Sequence, residues 1–118
     1  MTDEVFAATV RQAIDSLPNE FASQLDNVEI VIEDAARDKN ILRRLARSQL
    51  LLGLYIGVPK TKRFGTFLLP DKITIYKEPI LSLSSDSDDA KRRIRNTVLH
   101  EIGHHFGLTD GEMAKKHV

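Results

Sequence analysis

Two histidines and a glutamate stand close together in the sequence at residues 100–104. His100, Glu101 and His104 form the pattern H-E-x-x-H. An α-helix has about 3.6 residues per turn, so side chains four positions apart lie on the same face and one turn apart. The two imidazoles can therefore converge on one ion, and the glutamate beside the first can reach a water that the ion holds. The spacing predicts a catalytic metal site on a helix.

A glycine and an aspartate after the second histidine complete the predicted site. Gly107 can take the left-handed backbone conformation that often ends a helix, which lets the chain turn back toward the ion. Asp110 then offers a carboxylate. His100, His104 and Asp110 are the predicted ligands of one zinc ion (Zn²⁺), with the fourth position open for water. Non-haem iron sites use the same ligand types, but two histidines on one helix with a glutamate between them favour zinc.

The segment H-E-I-G-H-H-F-G-L-T-D, residues 100–110, resembles the signature of the small zincin-like metallopeptidase family. The resemblance extends upstream through residues 52–59 and 69–76 and covers most of the chain from about Asp15 onward. The segment is also similar to the metzincin pattern, with Asp110 in place of the third histidine. Only eight residues follow Asp110, too few for the downstream methionine turn that is usual in metzincins.

The predicted reaction is hydrolysis of a peptide bond by a metal-activated water, with Glu101 as the general base. Glu101 would take the proton of the water and deliver it to the leaving amine. So short a chain predicts a shallow cleft, so we expect weak activity or a need for a partner chain. The expected partner is a peptide or protein substrate, bound along a sheet edge at residues 64–69.

Composition predicts a single domain over residues 1–118. Of these residues 42% are hydrophobic and 29% are charged, which is ordinary for a soluble globular protein. Seventeen basic and seventeen acidic residues cancel, so the net charge favours neither nucleic acid nor a membrane surface as a partner. The absence of cysteine excludes disulfides and thiolate metal sites. With no apolar run of about 18 residues and no secretory signal pattern, we expect a cytoplasmic protein, with the monomer favoured.

The apolar pattern predicts an α+β fold. It consists of a small twisted mixed β-sheet, with an N-terminal helix and the metal-binding active-site helix packed on it; the strand order stays open. Thr2 or Asp3 is predicted to cap the first helix, whose apolar face comprises Val5, Phe6, Val10, Ala13, Ile14 and Leu17. The remaining elements are predicted as a strand at 28–33, a basic helix at 38–49, a strand or helix end at 50–56, a hairpin of 64–69 with 72–77, and a short helical turn at 80–83 after an interruption at Pro79.

Serines and aspartates at residues 84–89 predict the start of the metal-binding helix, because their side chains can cap free N–H groups. Asp88 with Arg92 and Asp89 with Arg93 have the spacing of helical ion pairs. The predicted core stripe of this helix comprises Ala90, Ile94, Val98, Ile102 and Phe106. The two histidine ligands point away from that stripe.

Two other functions stay open. Small metal-dependent endoribonucleases use the spacing H-x-x-x-H-x-x-x-x-x-H, and basic segments at 37–47, 60–63 and 91–95 could follow a phosphate backbone. A non-catalytic, zinc-bound protein-interaction domain is the second alternative. Glu101 argues against both, since it fits carbonyl hydrolysis and neither alternative requires it. Outside the motif, His105 is interpreted as a hydrogen-bonded helix-face residue rather than a support for the ligands, and Tyr55 and Tyr76 as packing residues rather than oxyanion donors.

Overall fold

The computed structural model describes residues 1–23, 25, 28–39, 42, 51–57, 71–108 and 111. Its described elements, in chain order, are α1 (Asp3–Asp15), α2 (Asn19–Ala22), β1 (Val28–Glu33), β2 (Gly53–Ile56), β3 (Asp71–Tyr76), α3 (Lys77–Leu83) and α4 (Ser87–His105). The predicted strand at 64–69 lies outside the described residues, and with it the pairing of the predicted hairpin, as does most of the predicted helix at 38–49. The other predicted strand of that hairpin, at 72–77, is confirmed as β3. The undecided segment at 50–56 contains strand β2.

The described sheet has three strands in the order β1-β3-β2. β1 runs parallel to β3 in the register Val28–Asp71, and β2 runs antiparallel to β3 in the register Gly53–Ile75. The central strand β3 is buried along most of its length, including Ile73 and Ile75. Glu29 and Glu33 of β1 are exposed, as their alternation predicts. The α+β class and the small mixed sheet predicted from the sequence are confirmed.

The core lies between α1, α4 and the sheet, and α4 contacts β2, β3 and α1. Its fully enclosed members are Phe6, Val10 and Ala13 of α1, Ile73 and Ile75 of β3, Ile80 of α3, and Ile94, Val98 and Ile102 of α4. The Thr2 hydroxyl accepts a hydrogen bond from the Val5 backbone N–H at 3.2 Å and caps α1, as predicted. Val5 was wrongly placed on the apolar face, since it is 41% exposed. Pro79 does not interrupt: it lies in the first turn of α3, where an N–H has no helical partner to lose.

The N-terminus of α4 is held by two carboxylates. Asp86 caps the helix, because its side chain accepts the Asp89 backbone N–H at 2.8 Å. Asp89 accepts the Ser85 backbone N–H at 3.0 Å and Arg93 Nε at 3.1 Å, and it also contacts Arg92. The predicted Asp89–Arg93 pair is confirmed, whereas Arg92 contacts Asp89 instead of the predicted Asp88. The hydrogen bond from the Ser85 backbone N–H has the largest effect on the pKa of Asp89, and the bonds from Arg92 and Arg93 come next. Together they hold this pKa well below its usual range.

This lowered pKa predicts how Asp89→Asn changes acid stability. A carboxyl group with a folded pKa below the ordinary value of 3.8 stabilises the fold above that pH, and the stabilisation is lost as the pH falls toward the folded pKa. Asp89→Asn should therefore unfold at lower urea concentration than the parent at neutral pH. The difference in free energy of unfolding between parent and variant should narrow as the pH falls below about 4. Urea titrations followed by circular dichroism measure this free energy at each pH. Asp88→Asn is the matched control, and a difference independent of pH would contradict the assignment.

No described helix is both long and apolar enough to span a bilayer.

Candidate metal centre

Three side chains of α4 bring possible ligand atoms together at its C-terminal end. The ligand atoms of His100, Glu101 and His104 all lie within 4.8 Å of one another. The two histidines are half-buried, while Glu101 is buried with 8% exposure. The imidazole centroids are 4.9 Å apart, with the ring planes at 68°. The helix therefore places the H-E-x-x-H side chains as a cluster, as the spacing predicts.

The donor types and separations of this cluster fit a metal ion. Zn–N bonds of about 2.0–2.1 Å in tetrahedral geometry separate two ligand nitrogens by roughly 3.3 Å. Atoms that lie within 4.8 Å need only small side-chain rotations to reach that separation. Imidazole nitrogens are among the commonest ligands of zinc and related divalent ions. The cluster can accordingly hold a divalent cation.

Helix α4 ends immediately after these residues. Gly107 has a φ of 82°, in the left-handed region. Its N–H donates to the His104 carbonyl at 2.9 Å, and the Leu108 N–H donates to the Gly103 carbonyl at 3.0 Å. This pair of bonds is the Schellman arrangement that ends a helix. The predicted left-handed helix end at Gly107 is confirmed, whereas the predicted return of the chain toward the ion lies outside the described residues. Asp110 lies outside the described residues, so its role as the third ligand stays a prediction.

A glycine brings strand β2 directly against the flank of α4 that carries Glu101. A Cβ atom added to Gly53 would lie 2.8 Å from Thr97 Cγ2 and 3.1 Å from Glu101 Cγ. Only a residue without a side chain allows so close an approach of strand and helix. Sequence reasoning overlooked Gly53. Its signal was present, because an isolated glycine inside a strand pattern often marks a close backbone approach.

Gly53→Ala should displace Glu101 without removing any polar group. The new methyl must push against Thr97 and Glu101, which we expect to lower the free energy of unfolding by about 1–3 kcal/mol. Urea unfolding measures this effect. The double variant Gly53→Ala/Thr97→Ser, which removes the nearest opposing methyl, should recover part of the loss. A parental stability in Gly53→Ala would contradict the contact.

A second polar cluster lies at the last turn of α4. His105 is fully buried, and its Nδ1 lies 2.7 Å from Asp71 Oδ2. The same carboxylate oxygen accepts the Tyr55 hydroxyl at 2.5 Å. His105 is thus a hydrogen-bonded helix residue, as interpreted from the sequence. Its partner Asp71, which is 2% exposed, was not anticipated; a carboxylate at the first position of a buried strand was the only available signal.

Tyr76 is the other tyrosine considered from the sequence. It is 3% exposed at the end of β3. Burial raises the pKa of Tyr76, and the negative charges of Glu33 and Asp38 raise it further. Its ring packs in the interior, in agreement with the packing interpretation.

Comparisons with known proteins agree with this geometry. A family model described as zincin-like metallopeptidase matches residues 25–117. No curated protein matches the chain. Among solved structures, the chain is similar to a conserved hypothetical protein from Thermo thermophilus, with 21% identity and a TM-score of 0.61 over 90% of this chain and 94% of that chain. That likeness concerns the fold alone. Because the family match covers most of the sequence and includes the H-E-x-x-H segment, this chain belongs to the zincin-like metallopeptidase family.

Proposed function

We propose that this protein is a zinc-dependent peptidase that hydrolyses peptide bonds with Glu101 as general base. The observation that carries the proposal is the convergence of His100, Glu101 and His104 on one end of α4. Two imidazoles supply metal ligands, and a carboxylate beside them supplies a proton acceptor. Membership of the zincin-like family supports the same chemistry.

In this proposal His100, His104 and Asp110 hold one zinc ion. When bound, the ion would lower the pKa of its water toward neutrality and polarise the substrate carbonyl. A negatively charged third ligand partly neutralises the ion, so that water should be less acidic than at a three-histidine site. The two imidazoles come from one rigid helical turn, which limits how much order metal binding must impose on them.

Glu101 handles the proton in the proposed mechanism. Its carboxylate would accept a proton from the attacking water as the new C–O bond forms, and would return that proton to the nitrogen of the leaving amine as the C–N bond breaks. Burial beside Gly53 and Thr97 limits the positions that its side chain can take. A confined proton acceptor needs little reorganisation when the reaction occurs.

The substrate is proposed to be an extended peptide or an unfolded protein segment. Residues 64–69, which we predicted as the strand edge that binds it, lie outside the described residues. We further propose that activity is weak or depends on a partner chain. A cytoplasmic location and a monomeric state are likewise proposals from the composition.

Peptide-library cleavage tests the function. The zinc-loaded protein, checked for metal content by atomic emission, should cut peptides that the chelator-treated protein leaves intact. His104→Ala should lose both stoichiometric zinc and cleavage. Intact peptides together with a large zinc-dependent rise in melting temperature would overturn the peptidase and favour a binding domain.

A structured RNA in the same assay tests the ribonuclease alternative. Two arginines of the basic segment 91–95, Arg92 and Arg93, already contact Asp89, which reduces the charge available to a phosphate backbone. We therefore expect the RNA to stay intact. Zinc-dependent RNA cleavage that His104→Ala abolishes would replace the peptidase proposal.

A further inference from the structure

A buried polar cluster joins the last turn of the metal-bearing helix to two strands. Asp71 of β3 binds His105 of α4 through Nδ1 at 2.7 Å and Tyr55 of β2 through its hydroxyl at 2.5 Å. A carboxylate can only accept, so both partners donate to it. His105 and Asp71 are 0% and 2% exposed. The proposed reaction uses none of these three residues.

Burying such a cluster costs the free energy of desolvating its polar groups. A buried carboxylate is tolerated only when hydrogen bonds replace its hydration, and apolar residues of similar volume often give equal or greater stability. The better-attested use of buried polar groups is to fix one arrangement among several that would pack equally well. This cluster lies between the last turn of α4 and strand β2, so the arrangement it can fix is that of these two elements.

The direction of the His105 imidazole is set through one atom. Its Nε2 is buried and has no hydrogen-bond partner among the described residues, so Nδ1 alone anchors the ring. His105 follows His104 directly in α4, and the two share a peptide plane. A rotation or slide of this turn that lengthened the bond to Asp71 would also move the His104 imidazole.

The other side of the cluster reaches the flank of Glu101. Tyr55 lies on β2 two residues after Gly53, whose backbone abuts Glu101 Cγ and Thr97 Cγ2. The Tyr55–Asp71 bond therefore ties the strand that confines Glu101 to the carboxylate that anchors the helix turn of His104. One buried carboxylate thus contacts both the strand beside Glu101 and the helix turn that carries His104.

We propose that His105, Asp71 and Tyr55 are positioning residues of the metal centre, which gives His105 the support role that its sequence interpretation ranked second. They hold the last turn of α4 and strand β2 in one fixed relation, so that His104 can meet the metal and Glu101 can meet the attacking water. The metal-binding part stands on the geometry of the two histidines, and the part that concerns Glu101 rests on the peptidase function proposed above. Residues that orient metal ligands through hydrogen bonds typically contribute about 10–100-fold to metal affinity or activity.

The choice of replacement at His105 separates positioning from packing. His105→Asn places an amide N–H close to the position of Nδ1, whereas His105→Leu fills similar space without a donor. At a temperature where circular dichroism shows each protein folded, zinc affinity measured by competition with a chelating dye should fall about tenfold in His105→Leu and stay within about threefold of the parent in His105→Asn. Tyr55→Phe removes one hydroxyl, keeps the ring, and should weaken zinc binding less than His105→Leu.

A cycle between these sites tests whether they act through Asp71. The effects of His105→Leu and Tyr55→Phe on zinc affinity should be non-additive, since both changes remove donors from one carboxylate. If His105→Leu does not fold, Tyr55→Phe and His105→Asn decide the result. Parental zinc affinity in every folded variant would overturn the proposal, as would an equal loss in the asparagine and leucine variants.

Kinetics on a cleaved peptide give a second readout. His105→Leu should lower kcat with little change in KM, because His105 and Asp71 are buried away from the surface that a substrate reaches. A change confined to KM would overturn the part of the proposal that concerns Glu101. Zinc affinity can be measured without peptide cleavage. A parent protein that binds zinc and cuts no peptide would refute the peptidase function. The dye competition would then still decide whether the cluster positions His104.

Discussion

Glu101→Gln should reduce peptide cleavage by about three orders of magnitude while leaving zinc bound, a loss within the range measured for general acid–base groups. Glutamine keeps the shape of the side chain beside Gly53 and Thr97, but its amide cannot take the proton of the attacking water. Because the change is nearly isosteric, the fold and the two imidazoles should be preserved. Cleavage rate, zinc content and melting temperature, measured on the same preparation, test each part of this expectation.

The metal readout also distinguishes a base from a ligand. The Glu101 carboxylate lies within 4.8 Å of the histidine nitrogens, so geometry alone permits direct metal binding. If Glu101 were a ligand, Glu101→Gln would weaken zinc affinity together with activity. Retained zinc with lost turnover supports the base, and unchanged turnover would remove Glu101 from the mechanism. His104→Ala is the control in which both properties should be lost.

Gly57→Ala should lower the free energy of unfolding by about 3 kcal/mol, the sum of backbone strain and steric overlap. Gly57 has a φ of 156°, in a region that residues with a Cβ rarely adopt. An added Cβ would overlap with Asp71 Oδ1, an oxygen of the carboxylate that binds His105 and Tyr55. Neither the backbone nor the buried acid can move without disturbing the other.

Urea unfolding measures this loss, and the neighbouring residue gives a matched control. Ile56 is the last residue of β2, next to Gly57, and is 55% exposed, so Ile56→Ala should change stability by less than about 1 kcal/mol. The Gly57→Ala variant should also bind zinc more weakly if the Asp71 cluster orients His104. A stability equal to that of Ile56→Ala would show that the chain accommodates the methyl and that the close contact is not restrictive.

The features that the sequence predicted correctly are local ones. His100, Glu101 and His104 owe their proximity to the period of one helix, and Gly107 owes its positive φ to the chemistry of helix ends. The stripe of Ala90, Ile94, Val98 and Ile102 follows from the same period, and all four are buried. Each inference needed only neighbouring residues in the chain and a rule of helix geometry.

The features that escaped prediction depend on distant parts of the chain. Asp71 and His105 are 34 residues apart in sequence. The sequence around neither residue identifies the other as its partner, because any buried acidic residue could have accepted a hydrogen bond from a buried histidine. Gly53 faces Glu101 only because β2 pairs with β3 rather than elsewhere. The strand order could not be derived either, since short apolar runs give no information about their neighbours in a sheet.

The pairing of α1 with α4 also bears on how the protein is made. About 70 residues separate the end of α1 from the start of α4, yet the two helices share one interior through Phe6, Val10, Ile94 and Val98. The ribosome adds roughly 5–20 residues each second, so α4 is synthesised several seconds after α1. The apolar face of α1 lacks its native contacts with α4 during that time. Contacts between such distant segments also form slowly. The histidine pair is synthesised with the helix that closes the interior, so the nascent chain acquires its metal-binding groups and its stable core at the same stage of translation.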